Sequence, residues 1–419
     1  MSVLLKVFNY LKQIKNGEVS FQHLINKGLK NVKEDEAYVI KDSLKSIVNH
    51  YYFLAWEQNK IYQIEDSEIK DYFICALGQY HYVKDINDEK LLEAFNEDAE
   101  SFNNLSPSEM IEKIRELGGS QYPLSKKENE IIVKRLAINY AYPEWIVKLI
   151  GKQFGIKHAY KSIASSRRSI NLTLNCNTFI TDAEKVLLNN EQLFEKGKLA
   201  SNTLRYIGKD KLININEFKK NQIFVEEEVS QMLVEKLDLE VGDEVLLSND
   251  DRGSVALDVA MHMHDVGNVH VACASLYDVS MVNNIANRFK IHSLDVFQSD
   301  VSLLLTHVAH NSCDKILMIP ESSSFGLVRR KPAVLLTLNR DDLDSIIQKQ
   351  KDDLEEMSNF LKDGGILIYA VYTYNKKESS NIIAEFLQAH ENFTLLEEKQ
   401  IFAYEVPSDG VYYAKLKKN

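Results

Sequence analysis

From about residue 221 onward, short apolar runs alternate with stretches of helical spacing. Residues 243–247 read DEVLL, 269–274 VHVACA, 315–319 KILMI and 366–371 ILIYAV. Between and after them, residues 255–263, 279–289, 341–361 and 378–389 carry apolar side chains at intervals of one helical turn. Runs of four to eight apolar residues suit strands buried on both faces. Strands alternating with helices leave few folds open. The pattern predicts a doubly wound, mostly parallel sheet, with ligands at the carboxyl ends of its strands. Residues 402–405 and 411–416 are expected to close the chain as a hairpin around Ser408-Asp409-Gly410.

The rest of the chain reads differently. Residues 1–140 are predicted to be an all-α bundle of five to seven helices. Val3, Leu4, Val7, Phe8, Leu11 and Ile14 form one apolar stripe, and Gly17 is a natural stop. Ser20 is a candidate cap for a helix containing Phe21, Leu24, Ile25 and Leu29, and residues 37–56 are apolar over a width that implies burial on more than one side. Gly118-Gly119 is expected to break a helix over 110–117. Residues 141–220 are mixed. Pro143 suits a helix start, and residues 170–177 (INLTLNCN) alternate as a half-buried strand would. This segment keeps too many apolar residues for a linker, so it reads as a small connecting domain. The expected fold class is therefore α+β multidomain: a helical bundle (1–140), a mixed connecting domain (141–220) and an α/β doubly wound, Rossmann-like domain (221–419).

Composition narrows function by exclusion. The 419 residues carry 50 Lys+Arg against 61 Asp+Glu, a net charge of −11, which argues against a general nucleic-acid coat but leaves room for a local basic patch. Cys75, Cys176, Cys273 and Cys313 are widely spaced, with no metal or redox pair among them. No apolar run is long enough to span a membrane, and the first residues lack a secretory pattern, so a cytoplasmic protein with no membrane partner is expected.

Several stretches resemble the bacterial Sun (RsmB) family of 16S rRNA 5-methylcytosine methyltransferases. Residues 225–242 (VEEEVSQMLVEKLDLEVG) resemble the V-Q-D-E-A-S-Q segment that leads into the family's first strand. Residues 326–332 (GLVRRKP) resemble G-x-x-R-R-x-P, 361–370 (LKDGGILIYA) resemble L-K-P-G-G-x-L-V-Y-A, and 410–415 (GVYYAK) resemble G-F-F-x-A-K. The resemblance spans nearly the whole chain. It implies a NusB-like, RNA-binding bundle over 1–140, a methyltransferase sheet over 221–419, S-adenosylmethionine as cofactor, and RNA as partner, either 16S rRNA or a ribosomal precursor.

The resemblance fails where the chemistry should be. In the family a cysteine thiolate adds to C6 of the cytosine, and a second cysteine assists release. The release cysteine of D-A-P-C-S-G is Ser322 here, and the nucleophile of T-C-S is Tyr372. Serine is a weak nucleophile without an adjacent base, and tyrosine is bulky with a pKa of about 10. Cys313 stands before its strand and reads as an ordinary buried cysteine. The cofactor loop D-x-C-A-A-P-G-G-K becomes LSNDDRGSV over residues 247–255, where only Gly253 keeps its place. The acid that would hold the ribose falls at Cys273 or Ala274. Asp300 matches a later acid near the adenine, and Asn175 replaces the arginine of R-x-N while Asn177 remains. No catalytic residue and no metal ligand is expected. His262-x-His264-Asp265 reads as a polar turn, because two histidines two apart do not share a helical face.

The binding candidates are therefore Gly253 and Asp300 for cofactor, and Arg329, Arg330, Lys331, Arg167 and Arg168 for RNA. Three functions follow: a degenerate relative that binds RNA without methylating it, an active methyltransferase with an altered mechanism, and a scaffold for a protein partner.

Overall fold

The computed structural model describes the chain except for residues 27, 28, 30, 31, 85, 103–105, 118–122 and 251, and the side chain of Asn129. The expected break at Gly118-Gly119 lies outside the described residues. The chain divides into two compact units: Met1–Arg167 with Val328–Arg340, and Arg168–Leu327 with Asp341–Asn419.

The first unit is helical. Among the described residues, eight α-helices precede residue 140. The Val3–Lys15 helix buries the expected apolar stripe, is capped by Ser2 accepting from the Leu5 amide, and ends at Gly17 with φ +72°. The helix after Ser20 is described over Phe21–Asn26, and Leu29 is buried. Glu34–Ile61 places three acids in its first turn, at the positive end of the helix dipole. Ser67–Tyr82 has no counterpart in the sequence expectation. Every residue from 72 to 79 is buried, so this central helix has no polar face to produce a periodic signal. Pro143 caps Glu144–Phe154, and Gly155, at φ +87°, joins it to Ile156–Ser166. The 328–340 segment is tied into this unit. The Tyr52 hydroxyl donates to the Leu335 carbonyl at 2.7 Å, and Ala333 and Leu336 pack on the bundle core.

The second unit holds two sheets. Strands β1 (Thr173–Cys176), β2 (Phe194–Lys196), β3 (Leu204–Tyr206) and β4 (Ile223–Val225) form an antiparallel sheet in the order β2-β3-β1-β4. The expectation of a half-buried strand at β1 is corrected: all four residues are buried. Leu174 and Cys176 face the small apolar core, while Thr173 and Asn175 bond Glu227 and Glu226 on the other side.

Strands β5 (Glu244–Ser248), β6 (Asn268–Cys273), β7 (Leu294–Gln298), β8 (Cys313–Met318), β9 (Leu361–Val371), β10 (Phe393–Ile401) and β11 (Val411–Lys418) form the larger sheet, in the order β10-β11-β9-β8-β5-β6-β7. Strands β5 to β9 run parallel, and β11 inserts antiparallel between β9 and β10. The fold class is the expected one: a helical front and a Rossmann-like methyltransferase sheet. The expected hairpin needs correction. Its first strand is β10, and residues 402–405 form the turn that follows. Strands β7 and β10 escaped the sequence reading because both are edge strands, with polar side chains and little burial. No helix among the described residues is long and apolar enough to cross a membrane.

Candidate functional site

The strand order reverses between β5 and β8, so the crevice for a ligand lies beyond their carboxyl ends. The loop after β5 fills the edge of that crevice with its own side chains. Ser248 accepts from the Ile319 amide at 3.0 Å. Asn249, at φ +60°, donates from its backbone to Ala272 (3.0 Å) and from its side chain to Ile319 (2.9 Å), stitching the ends of β6 and β8. Asp250 is buried. Its Oδ1 accepts from the amides of Gly253 (2.8 Å) and Arg252 (3.2 Å), and its Oδ2 from Ala256 (2.8 Å). The carboxylate therefore caps the Ser254–His262 helix from within the loop. Gly253 has φ +76°, and a Cβ there would lie 2.5 Å from Ile285 Cγ2 and 2.9 Å from Val282 Cα. No other residue fits that turn without strain.

These residues fit S-adenosylmethionine poorly. The helix amides that would meet a polar ligand are spent on Asp250. After β6, where a carboxylate would take the ribose, stands the buried Cys273, whose thiol donates to the Asp250 carbonyl at 3.7 Å. Asp300 caps the Val301–Thr306 turn, accepting from the Ser302 amide at 3.3 Å, with Lys349 at 3.4 Å. Partial burial opposes its charge, but that amide and Lys349 hold its carboxyl below the usual range.

The loops after β8 and β9 carry Ser322 and Tyr372. The Ser322 hydroxyl accepts from the Ser324 amide at 3.3 Å, and the Tyr372 hydroxyl meets Ser230 at 3.1 Å. Beneath both loops lies a buried network that the sequence reading missed. Glu378 accepts from the Ser323 amide (2.7 Å), Thr373 Oγ1 (3.1 Å), Asn375 Nδ2 (3.0 Å) and Gln350 Nε2 (3.3 Å). Ser323 and Thr373 also bond each other at 2.6 Å. The available signal was the polar run directly after each buried strand, Ser322–Ser324 and Thr373–Asn375. All four cysteines are buried. Burial pushes the Cys313 thiol, which opens β8, up to about 11, and that of Cys176 up to about 12; it also raises Cys75.

Two buried acids stand nearby. Glu226 accepts from Asn175 Nδ2 at 2.9 Å, and its carboxyl is raised well above the usual range by burial and then by Asp258. Asp258 also holds His262, with Nδ1 3.2 Å from Oδ1. Burial disfavours the imidazolium, but Asp258 outweighs it and lifts His262 to about 9. His264 and Asp265 form a left-handed turn, and no metal-ligating cluster occurs among the described residues.

The arginine pairs divide between structure and surface. Arg167 donates to the carbonyls of Tyr140 (2.9 Å) and Ala141 (3.0 Å) and to Asn49 Oδ1 (3.2 Å), bracing a turn where Ala141 takes φ +50°. Arg329 donates to the Ser165 carbonyl at 2.9 Å. Arg330 is half-buried, whereas Arg168 and Lys331 are exposed.

A seven-stranded, mostly parallel sheet with a reversed strand near one edge defines a methyltransferase-like fold. The model of the family described as 16S rRNA methyltransferase RsmB/F matches residues 253–417. The chain is 26% identical over 267 residues to the probable ribosomal RNA small subunit methyltransferase B of Bacillus subtilis, covering 62% of this chain and 59% of that protein. It is 22% identical over 311 residues to ribosomal RNA small subunit methyltransferase B of Serratia proteamaculans, covering 70% of each. The aligned part thus spans less than two thirds of the Bacillus relative. Among solved structures, PH0851 superposes with a TM-score of 0.77 over 100% of this chain and 99% of that one, at 17% identity. NSun6 from Pyrococcus horikoshii with SFG gives 0.59 over 66% and 98%, at 13% identity. Residues 253–417 therefore match the RsmB/F family model, the same family that the sequence motifs resemble.

Proposed function

We propose that this chain is a catalytically silent member of that family, which binds RNA, 16S rRNA or a ribosomal precursor, without methylating it. In this reading residues 1–140 are a NusB-like RNA-binding bundle, 141–220 a connecting domain and 221–419 a methyltransferase-like platform. One observation carries the proposal. The loops that bear the family's two cysteines hold Ser322 and Tyr372 instead, and the chain's own thiols are buried. Addition to C6 of a cytosine needs a thiolate, and a buried thiol held at a raised pKa supplies none at neutral pH. The Asp250 cap and the missing ribose acid support the same reading on the cofactor side.

Calorimetry with S-adenosylmethionine and a labelled-methyl transfer assay on unmodified 16S rRNA test it together. The expected result is no binding at millimolar cofactor and no label in RNA, with RNA retained on a filter in a salt-dependent manner. Transfer of label to cytosine C5 overturns the proposal.

A further inference from the structure

The chain is acidic overall, yet one part of the helical unit is not. Residues 144–167 hold five lysines and arginines against a single acid, Glu144, and the 328–340 segment holds four against none. These stretches are far apart in sequence but meet in the fold. Arg329 donates to the Ser165 carbonyl at 2.9 Å, which brings Lys331 to the end of the Ile156–Ser166 helix. The paired helices bury Ile146, Val147, Ile150, Ala159 and Ile163 inward. Their cations lie outward: Lys148 and Lys152 are exposed one turn apart on the first helix, and Lys157 and Lys161 on the second. Tyr160 lies among them, 47% exposed, with its ring edge-on to Tyr140 at 6.2 Å.

We propose that this face extends the RNA contact of the 1–140 bundle, with its lysines on backbone phosphates and Tyr160 stacking on an unpaired base. This deepens the RNA-binding reading above and rests on it. Clustered cations answer the phosphate charge, and an exposed ring set between them offers a stacking platform that an acidic protein would not need. The inward arginines, Arg167 and Arg329, are positioning residues. They hold the turn at Ala141 and tie the 328–340 segment to the end of the Ile156–Ser166 helix.

The test uses the full chain and a fluorescein-labelled 16S rRNA transcript in anisotropy titrations across salt. The patch variant carries K152E, K157E, K161E and K331E. A control of equal charge carries K209E, K219E, K376E and K399E, all exposed and in the other unit. The expected result is a patch variant weakened at least tenfold, with a salt slope smaller by about 2–3 for the lost phosphate contacts. The control should stay within about twofold, and Y160A should weaken binding roughly fivefold or more. If wild type binds and both charge variants weaken alike, or the patch variant does not weaken, this surface is refuted while RNA binding stands. If wild type binds no RNA, the RNA-binding reading falls and this inference with it.

Discussion

Replacing Asp250 by alanine removes the one acceptor shared by three amides, those of Arg252, Gly253 and Ala256. Losing a capping side chain costs about 1–2 kcal/mol. Leaving buried amides without an acceptor adds to this, about 1–3 kcal/mol per group before relaxation. Water reaching the loosened loop returns part of that, so the net expectation is about 2–3 kcal/mol for opening this turn. At 1.4 kcal/mol per tenfold, the Gly253 and Ala256 amides should exchange hydrogen roughly 30–150 times faster. Asp250→Asn keeps one acceptor oxygen but presents an amide group to a donor, so it should fall about midway. Hydrogen exchange read by mass spectrometry on the 249–262 segment measures this, with the Val3–Lys15 helix as an internal reference. A change below about threefold in Asp250→Ala would falsify the view that this carboxylate fills the place of a ligand, because an idle side chain is the one kind whose removal leaves the helix end undisturbed.

Three further outcomes are expected. Glu378→Ala strands four donors in a buried site and should cost about 3–5 kcal/mol, seen as a calorimetric melting temperature lower by roughly 6–20 °C; Glu378→Gln, which keeps an acceptor, should lose less. His262 is held above its ordinary value, to about 9, so its contribution is complete below the unfolded value near 6.5 and lost as pH rises through 9. Melting temperatures from pH 6 to 10 should therefore fall at the alkaline end in wild type and less in His262→Gln; identical profiles contradict the assignment. The native protein should resist thiol labelling at pH 8 and expose all four cysteines only in denaturant, whereas one fast-reacting thiol would reopen the case for cysteine chemistry.

Much of the sheet was legible because β5, β6, β8 and β9 are apolar runs buried on both sides, and burial is what hydropathy reports. The helix at residues 67–82 was hidden by the same physics taken further. Enclosed over a full two turns, it shows no polar face to set a period. Strands β7 and β10 failed for the opposite reason, since edge strands trade apolar side chains for charge. At the site, substitution was visible but compensation was not. That Asp250 departs from a small-residue loop can be read from sequence. That it turns back to cap its own helix depends on the left-handed Gly253 and on the third dimension. Arg167 and Arg329 show a similar limit, because a run of arginines does not say which one faces inward.

The 328–340 segment has a consequence for how the chain emerges during synthesis. The bundle of residues 1–167 lacks the residues that cover Tyr52 and complete its apolar surface until Arg340 has been made. At about 5–20 residues per second, that delay is roughly 10–35 s after Arg167. A ribosome thus carries a nearly finished helical unit with one side open while the first strands of the next unit form. That waiting surface is where a chaperone would be needed, and a fragment ending at residue 167 would keep it bare for good.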